Sequence, residues 1–531
     1  MSTHTLDAAR PWHGVWPTHL ERSLPYPSAP AWWLLERNLP ALAQRVAIRE
    51  VDHETLAEGR ILTYEALWTA VRGAASGLRA MGVENGVRVG FCLPNSTALI
   101  VGYYATWYAG GVVVPANPLA SESELTQQRG DAGVSLVIGV AGKVAQAVAA
   151  ALNVAFVDAA AFRTMEHEHP GAPAACAADE DVAVLLYTGG TTGAPKGAML
   201  THRNIVANTL QFATWYAFEP GDEVATCAIP MFHSGGMSGV MNVPLSAGAT
   251  LLVWSRFAAA PIARAVERYR VTRLFGVPTM FIALLNDATA RAVDYASLRA
   301  CRTNAAALPP TVKAAFDTLV GREVLIEGYG LTETSPLTHA NPIARAKAGS
   351  IGIPLPDTDA RIVDLTTGLD VAPGESGELL IRGPQVMRGY WNRPEATAEA
   401  IVDGWLHTGD VATQDAEGYF AIVDRWKDMI NTAGFKVWPR EVEEALYAHA
   451  AVRLAAVVGV PDDYRGEAVK AFVVLKSDAR CTARELNDFL RDRLTAYKVP
   501  RAIEFRADLP TSGAGKLLRR ALREEPSPGR R

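Results

Sequence analysis

The sequence predicts an α/β protein: a large N-terminal domain of two α/β subdomains plus a small β subdomain, followed by a small α+β C-terminal domain. Three observations predict it. Strand-like and helix-like segments alternate from Thr63 to about residue 345. From Gly352 to Ile381 the composition shifts to short strands with Pro/Gly turns. Beyond Asp424-Arg425-Trp426-Lys427-Asp428 the pattern changes again, to α+β. The expected division is therefore 1–426 and 427–531. At 531 residues the chain exceeds what one hydrophobic core usually supports, which also requires at least two domains.

In chain order, residues 31–44 read as a helix after a Trp- and Pro-rich start. Leu67, Val71, Ala74, Leu78 and Met81 share one helical face, and Gly82 follows as a stop. Val87, Val89, Phe91 and Leu93 alternate like a strand, and a helix over 97–109 leads to a strand at 112–114. Ser121-x-x-Glu124 is a capping box, and residues 136–138 form the next strand. This alternation argues for a largely parallel sheet covered on both faces. Residues 171–181, rich in Ala, Pro and acids, form a linker. Thr201 caps a helix through Asn204, Val206 and Leu210. In the C-terminal part Pro439 opens a helix, 454–458 and 469–475 are strands, and Thr482-x-x-Glu485 is a second capping box.

Hydrophobic residues at 49% and charged residues at 20% place the chain in the soluble globular range. A net charge of −5 gives no argument for nucleic acid. Cys92, Cys176, Cys227, Cys301 and Cys481 include no Cys-x-x-Cys pair, which argues against a zinc site or disulfide framework and fits a reducing, cytoplasmic setting. Met1 to Pro17 lacks a signal-peptide core, and no run of 18 apolar residues predicts a membrane span. Peripheral contact with a membrane surface stays open.

Four stretches carry candidate chemistry. The first, Thr188-Gly189-Gly190-Thr191-Thr192-Gly193-Ala194-Pro195-Lys196-Gly197, follows an apolar strand at 182–186. Its glycines let backbone N–H groups approach a ligand, its threonine hydroxyls suit phosphate oxygens, and Lys196 adds positive charge. It is not a Walker A loop, which ends Gly-Lys-Ser/Thr; by itself it is equally a glycine-rich turn. The second is Glu327-Gly328-Tyr329-Gly330-Leu331-Thr332-Glu333. A ring between glycines can lie flat on a base, Thr332 offers a hydroxyl, and Glu333 offers hard oxygen to Mg²⁺. The third is Gly404-Trp405-Leu406-His407-Thr408-Gly409-Asp410 with Arg425 downstream; a carboxylate accepts both ribose hydroxyls, although a turn aspartate beside glycine is common. The fourth, Leu509-Pro510-Thr511-Ser512-Gly513-Ala514-Gly515-Lys516, puts a lysine on a glycine-freed tip, where a solvated charge is the ordinary outcome.

Taken together and in this order, the four stretches resemble the adenylate-forming superfamily of acyl-CoA synthetases, peptide-synthetase adenylation domains and luciferases. The resemblance runs from about Thr63 to Arg520, and Gly383-Pro384-Gln385-Val386-Met387-Arg388-Gly389-Tyr390-Trp391 points to its bacterial fatty acyl-CoA ligase branch. It implies activation of a medium- or long-chain fatty acid by ATP and Mg²⁺ through an acyl-adenylate, then transfer to coenzyme A or to a carrier-protein phosphopantetheine. A smaller or polar acid is the alternative substrate. The enzyme would be a monomer or homodimer.

The same resemblance implies residue roles. The loop through Thr188, Gly189, Gly190, Thr191, Thr192, Gly193 and Lys196 would hold phosphates. Tyr329, flanked by Glu327, Gly328 and Gly330, would stack on adenine, with Ala306 and Ile422 also at the nucleotide. Asp410 and Arg425 would bind ribose, Thr332 the α-phosphate and Glu333 the metal. Lys516 would bridge the acid and the α-phosphate. Lys427 would be the hinge about which a mobile C-terminal domain rotates, bringing Gly434 close to the thiol path. Pro230-Met231-Phe232-His233 and Val277-Pro278-Thr279, the latter as a strand, would border the acyl channel; for His233 a core histidine is an almost equal alternative. One departure stands out: Thr303-Asn304-Ala305-Ala306-Ala307 replaces the Ser/Ala-Gly-Gly that relatives usually carry. Asn304 and Ala305 add atoms and a polar amide to that wall, which implies altered acyl selectivity.

Overall fold

The computed structural model describes residues 10–168, 174–175, 177–188, 195–462, 464–476, 479–511 and 517–523. The alternation read in the sequence resolves there into four sheets. The largest has nine strands, in spatial order Ile353–Pro354, Leu337–Ala340, Leu325–Gly330, Ala300–Thr303, Arg273–Gly276, Val224–Cys227, Thr250–Val253, Val46–Val51 and Glu58–Thr63. Its centre is parallel and its two edges are antiparallel. The second has seven: Gly389–Tyr390, Lys196–Thr201, Val182–Thr188, Val112–Pro115, Arg88–Cys92, Leu136–Gly139 and Ala155–Asp158. The parallel strands are largely apolar because both faces are covered, the pattern expected where helices flank a sheet; Arg273 and Arg302 are buried exceptions.

The helix Thr97–Ala109 joins the two sheets. All of its residues are buried, and a helix without a polar face belongs inside a core. Three of its aromatic side chains find hydrogen-bond partners, on both sides. Trp107 donates to the Ala183 carbonyl at 3.0 Å on the seven-stranded side. Tyr103 donates to the Met231 carbonyl at 2.8 Å and Tyr104 to Asn242 at 3.0 Å on the other. Ser96 caps its start and Gly110, at φ 90, ends it.

A five-stranded antiparallel sheet follows, built from Asp359–Val363, Ser376–Arg382, Trp405–Gln414, Ile401–Val402 and Phe420–Arg425. The next strand, Ile430–Thr432, belongs to another sheet, together with Phe435–Val437, Val452–Asp462, Gly466–Leu475 and Ala502–Phe505. Helices Pro439–Tyr447 and Ala483–Arg491 pack on that sheet, and Thr482 and Glu485 form the predicted capping box.

Three local expectations need correction. The helix expected over 31–44 is two short helices, Trp33–Glu36 and Leu39–Leu42, because Pro40 has no N–H with which to continue the first. At Ser121 only half the capping box forms: Ser121 accepts from the Glu124 N–H, but the Glu124 carboxylate accepts from Gln128 at 3.1 Å. Val277-Pro278-Thr279 is not a strand. It opens the helix Pro278–Asn286, with proline at the position whose missing N–H costs nothing.

Candidate active site

The two domains face each other across a cleft of 1110 Å³. Its floor is laid by strand ends of the nine-stranded sheet. Leu325–Gly330 ends in the glycine-flanked Tyr329, and Gly330 has to be glycine: a Cβ would lie 1.8 Å from the Pro336 carbonyl oxygen. The Tyr329 hydroxyl donates to Asp410 at 2.5 Å, and Arg425 donates to the other Asp410 oxygen at 2.9 Å. Asp410 and Arg425 are register partners on adjacent strands, so the antiparallel hairpin sets their pairing. Asp410 holds the Arg425 guanidinium above its usual pKa against the opposing effect of burial. The Tyr329 phenol is pushed well up by burial and then by the Asp410 charge, so it stays a donor.

Glu333 lies on the short turn Thr332–Thr334 and accepts from the Tyr390 hydroxyl at 2.9 Å. The Lys196 ammonium sits 5.1 Å from the centre of the same Tyr390 ring. The segment that carries Tyr390 is tied down on both sides: Met387 N–H donates to the Glu333 carbonyl at 2.8 Å, and Trp391 N–H to the Gly197 carbonyl at 2.8 Å. One phenol thus gathers the lysine of the first stretch and the acid of the second. A single carboxylate beside a cationic loop suits Mg²⁺ that arrives on phosphates and keeps most of its other ligands from water and substrate.

The remaining lining sorts by charge. Burial pushes Glu327 up to about 7, opposed by Arg440 and by the Leu308 N–H, which donates to it at 3.2 Å. His233 is pushed down to about 4 by burial, so it is neutral at pH 7; its Nε2 has no partner among the described residues. Burial, then Arg425, lowers Lys427, while Asp428, Asp410 and Glu333 oppose that. On the C-terminal side Arg519 donates to Glu443 at 2.6 Å and pairs with Asp424 at 3.2 Å and Asp428 at 3.6 Å. Arg440 extends this bracket through its N–H to Asp424 at 2.8 Å and its side chain to the Ile422 carbonyl at 2.6 Å.

Of the residues singled out in the sequence, Glu327, Gly328, Tyr329, Gly330, Asp410 and Arg425 line the cleft. So do His233, Ala305, Ala306, Ile422 and Lys427. Thr188 and Lys196 stand at facing ends of a strand pair, Glu333 meets Tyr390, and Thr332 precedes Glu333 on the same turn; none of these four lines the cleft. Asn304 is half-buried beside Gly235, whose Cβ would lie 3.6 Å from the Asn304 amide nitrogen. Val277 is buried and does not line the cleft; Pro278 and Thr279 do. Gly434, at φ 85, is the tip of the hairpin between Ile430–Thr432 and Phe435–Val437 and does not line the cleft. Gly189, Gly190, Thr191, Thr192, Gly193 and Lys516 lie outside the described residues. Sequence reasoning missed Tyr390 as a site residue and missed Asp424, Arg440, Glu443 and Arg519. Arg519 gives a signal only in hindsight, as a cation shortly after Lys516.

This fold and site define a nucleotide-dependent adenylate-forming enzyme. The family comparison agrees: residues 36–391 match the AMP-binding enzyme model and residues 441–516 the AMP-binding enzyme C-terminal domain. The chain belongs to the AMP-binding enzyme family. It is similar to the long-chain-fatty-acid–CoA ligase of Bacillus subtilis (strain 168), at 39% identity over 98% of this chain and 99% of that one. It is similar to a feruloyl-CoA synthase of Amycolatopsis sp, at 41% identity over 88% of this chain and 94% of that one. Among solved structures it resembles ATP-bound MatB from Rhodopseudomonas palustris, with TM-score 0.86 and 30% identity over 94% of this chain and 99% of that one.

Proposed function

We propose that this chain is an ATP-dependent carboxylate–CoA ligase acting on a medium- or long-chain acid. The observation that carries the reading is the hydrogen-bonded set of Tyr329, Asp410 and Arg425 at the cleft, with Glu333 beside it, in a chain of this family. The carboxylate oxygen of the acid attacks the α-phosphorus of ATP, the bond to pyrophosphate breaks, and an acyl-adenylate forms. The CoA sulfur then attacks the acyl carbon, its proton is lost, and AMP leaves. Direct thioester formation is unfavourable because a carboxylate is a poor electrophile.

The residue roles are those the family resemblance implies. Asp410 accepts from the ribose hydroxyls, and Arg425 holds it charged and oriented. Tyr329 lies against the base. Thr332 and the loop from Thr188 to Lys196 contact phosphates. Glu333 would hold Mg²⁺, which would supply charge neutralisation on the phosphates. Lys516 offsets the charge that builds when two anions meet. The Nε2 of neutral His233, without a partner among the described residues, suits the acid. The change of sheet between Arg425 and Ile430 supports Lys427 as the hinge between domains 1–426 and 427–531, with Gly434 carried toward the CoA thiol on rotation.

A pyrophosphate-release screen over carboxylic acids, with mass spectrometry of the CoA product, tests the reading. Lys516→Ala is expected to suppress adenylation by ~100-fold or more, as loss of transition-state charge stabilisation does. Thioester formation from added acyl-adenylate should fall far less. Equal loss in both assays contradicts the role.

A further inference from the structure

Among the described residues three arginines are almost wholly buried, and two of them have partners, although the Arg273 Nε has none. Arg129 donates to the Phe91 carbonyl at 2.9 Å and the Pro115 carbonyl at 3.5 Å. Arg273 donates to the Tyr216 and Ala217 carbonyls at 2.9 and 3.0 Å and pairs with Glu223 at 2.5 Å. Arg302 is 0% exposed, and none of its three guanidinium nitrogens has a hydrogen-bond partner among the described residues. Aromatic rings surround it instead: Phe212 at 4.0 Å, Phe275 at 5.0 Å and Tyr216 at 5.9 Å from ring centre to the guanidinium carbon. Those ring faces offset the charge but accept no conventional hydrogen bond from the remaining N–H groups. A buried donor left unmade is costly, and a buried cation more so, unless a partner arrives.

The surroundings say from where. Arg302 is on the strand Ala300–Thr303, which runs directly into Ala305, Ala306 and Ala307 of the cleft wall. The π-helix Gly235–Asn242 faces this strand with two glycines. Gly235 stands opposite the Asn304 amide, and Gly239, one turn deeper, opposite Arg302, where a Cβ would lie 2.4 Å from a guanidinium nitrogen. A wide helical turn and an absent side chain leave the guanidinium its place. The Tyr216 hydroxyl, also buried and without a partner among the described residues, lies 3.5 Å from where a Cβ of Gly328 would be, and Gly328 lines the cleft. Two unsatisfied donors therefore sit immediately behind the wall along which the acid is read to lie.

We propose that Arg302, together with the Tyr216 hydroxyl, forms the deep end of the acid pocket and takes an oxygen acceptor carried on the far end of the substrate. This rests on the ligase reading and narrows it: the preferred acid has an oxygen-bearing tail, not a bare hydrocarbon one. Glycine at position 239 and the aromatic rings are then a seat for the cation, and the acceptor completes its hydrogen bonds only when the correct acid is bound. A site built to hydrogen-bond a substrate group discriminates against the analogue that lacks it far more sharply than an apolar pocket discriminates chain length.

The test uses the full-length enzyme and kcat/KM for pyrophosphate release with acids matched in chain length: a plain alkanoic acid, its ω-hydroxy form and its ω-carboxy form. The readout is the ratio of oxygen-tailed to plain acid, which is independent of the fraction of enzyme correctly folded. We expect a ratio of roughly ten or more, the discrimination one charge-assisted hydrogen bond supplies. The ω-carboxy and ω-hydroxy arms separate an anionic tail from a neutral one. Arg302→Leu should bring the favoured ratio to about one or below, with Arg302→Lys retaining part of it for the ω-carboxy acid. Tyr216→Phe, which removes one oxygen and no bulk, should lower it as well. A wild-type ratio at or below one in both arms, or a ratio unchanged in Arg302→Leu and Tyr216→Phe, overturns the assignment and leaves the guanidinium a structural group. Pyrophosphate release with plain acids at equal efficiency overturns this inference alone. An absence of acid-dependent release with every acid overturns the ligase reading and this inference with it.

Discussion

Glu327 offers the sharpest physical test of the cleft. The residue is 7% exposed, and burial raises its carboxyl pKa from 4.5 to about 7. The folded protein therefore holds this proton over a range in which the unfolded chain has released it. Stability from the group is complete below pH 4.5 and is lost as the pH rises through 7. The shift of about 2.5 units corresponds to ~3 kcal/mol at 1.36 kcal/mol per unit. Glu327→Gln keeps the shape and cannot ionise. Relative to wild type, the variant should gain ~3 kcal/mol on going from pH 5 to pH 8. Urea denaturation of both proteins across that range, followed by tryptophan fluorescence, reads the difference directly, and every other titrating group cancels in the subtraction. Arg440 opposes the shift, so Arg440→Leu should push the Glu327 transition to higher pH. Parallel pH profiles for wild type and Glu327→Gln would refute the reasoning, because they would mean that the carboxyl is solvated in the folded protein.

Further outcomes follow from the same geometry. Asp410→Ala removes the acceptor shared by Tyr329 and Arg425 and should weaken ATP binding by roughly ten- to a hundredfold, measured by calorimetric titration. An unchanged affinity would detach Asp410 from the nucleotide. Arg519→Met leaves Glu443 and Asp424 without their cation and should cost ~3 kcal/mol in the unfolding of the C-terminal part, with earlier tryptic cleavage there. Ala305 is held at φ 71, so Ala305→Gly should stabilise the protein by ~1 kcal/mol in thermal unfolding while widening the acyl wall. If Asn304→Gly leaves the chain-length profile unchanged, the amide does not shape the pocket. Gly330→Ala must move the Pro336 carbonyl and should lower stability by ~2 kcal/mol or more.

The elements legible in the sequence are those decided by near neighbours. The helix Thr97–Ala109, the strand Arg88–Cys92 and the Thr482 cap come out as read, because periodicity, β-branching and capping act within a few residues. The misses have local causes too: one proline breaks the helix expected over 31–44, and another starts a helix at Pro278. The motif residues were legible as residue types placed among glycines, which is why Tyr329 and Asp410 could be singled out.

Which of those residues meet was not legible. Tyr329 and Asp410 are 81 positions apart, and Tyr390 and Glu333 are 57 apart; only the packing of the sheets brings them within a hydrogen bond. Arg302 shows the limit most plainly. A charge in a strand pattern reads as an edge or solvent-facing residue, and nothing near it in the chain says otherwise. That it lies among Phe212, Phe275 and Tyr216 without an acid among the described residues, while Arg273 on the neighbouring strand found Glu223, was decided by tertiary structure. Local chemistry writes the list of available groups, but whether a buried charge finds its partner depends on long-range contacts that no stretch of sequence contains.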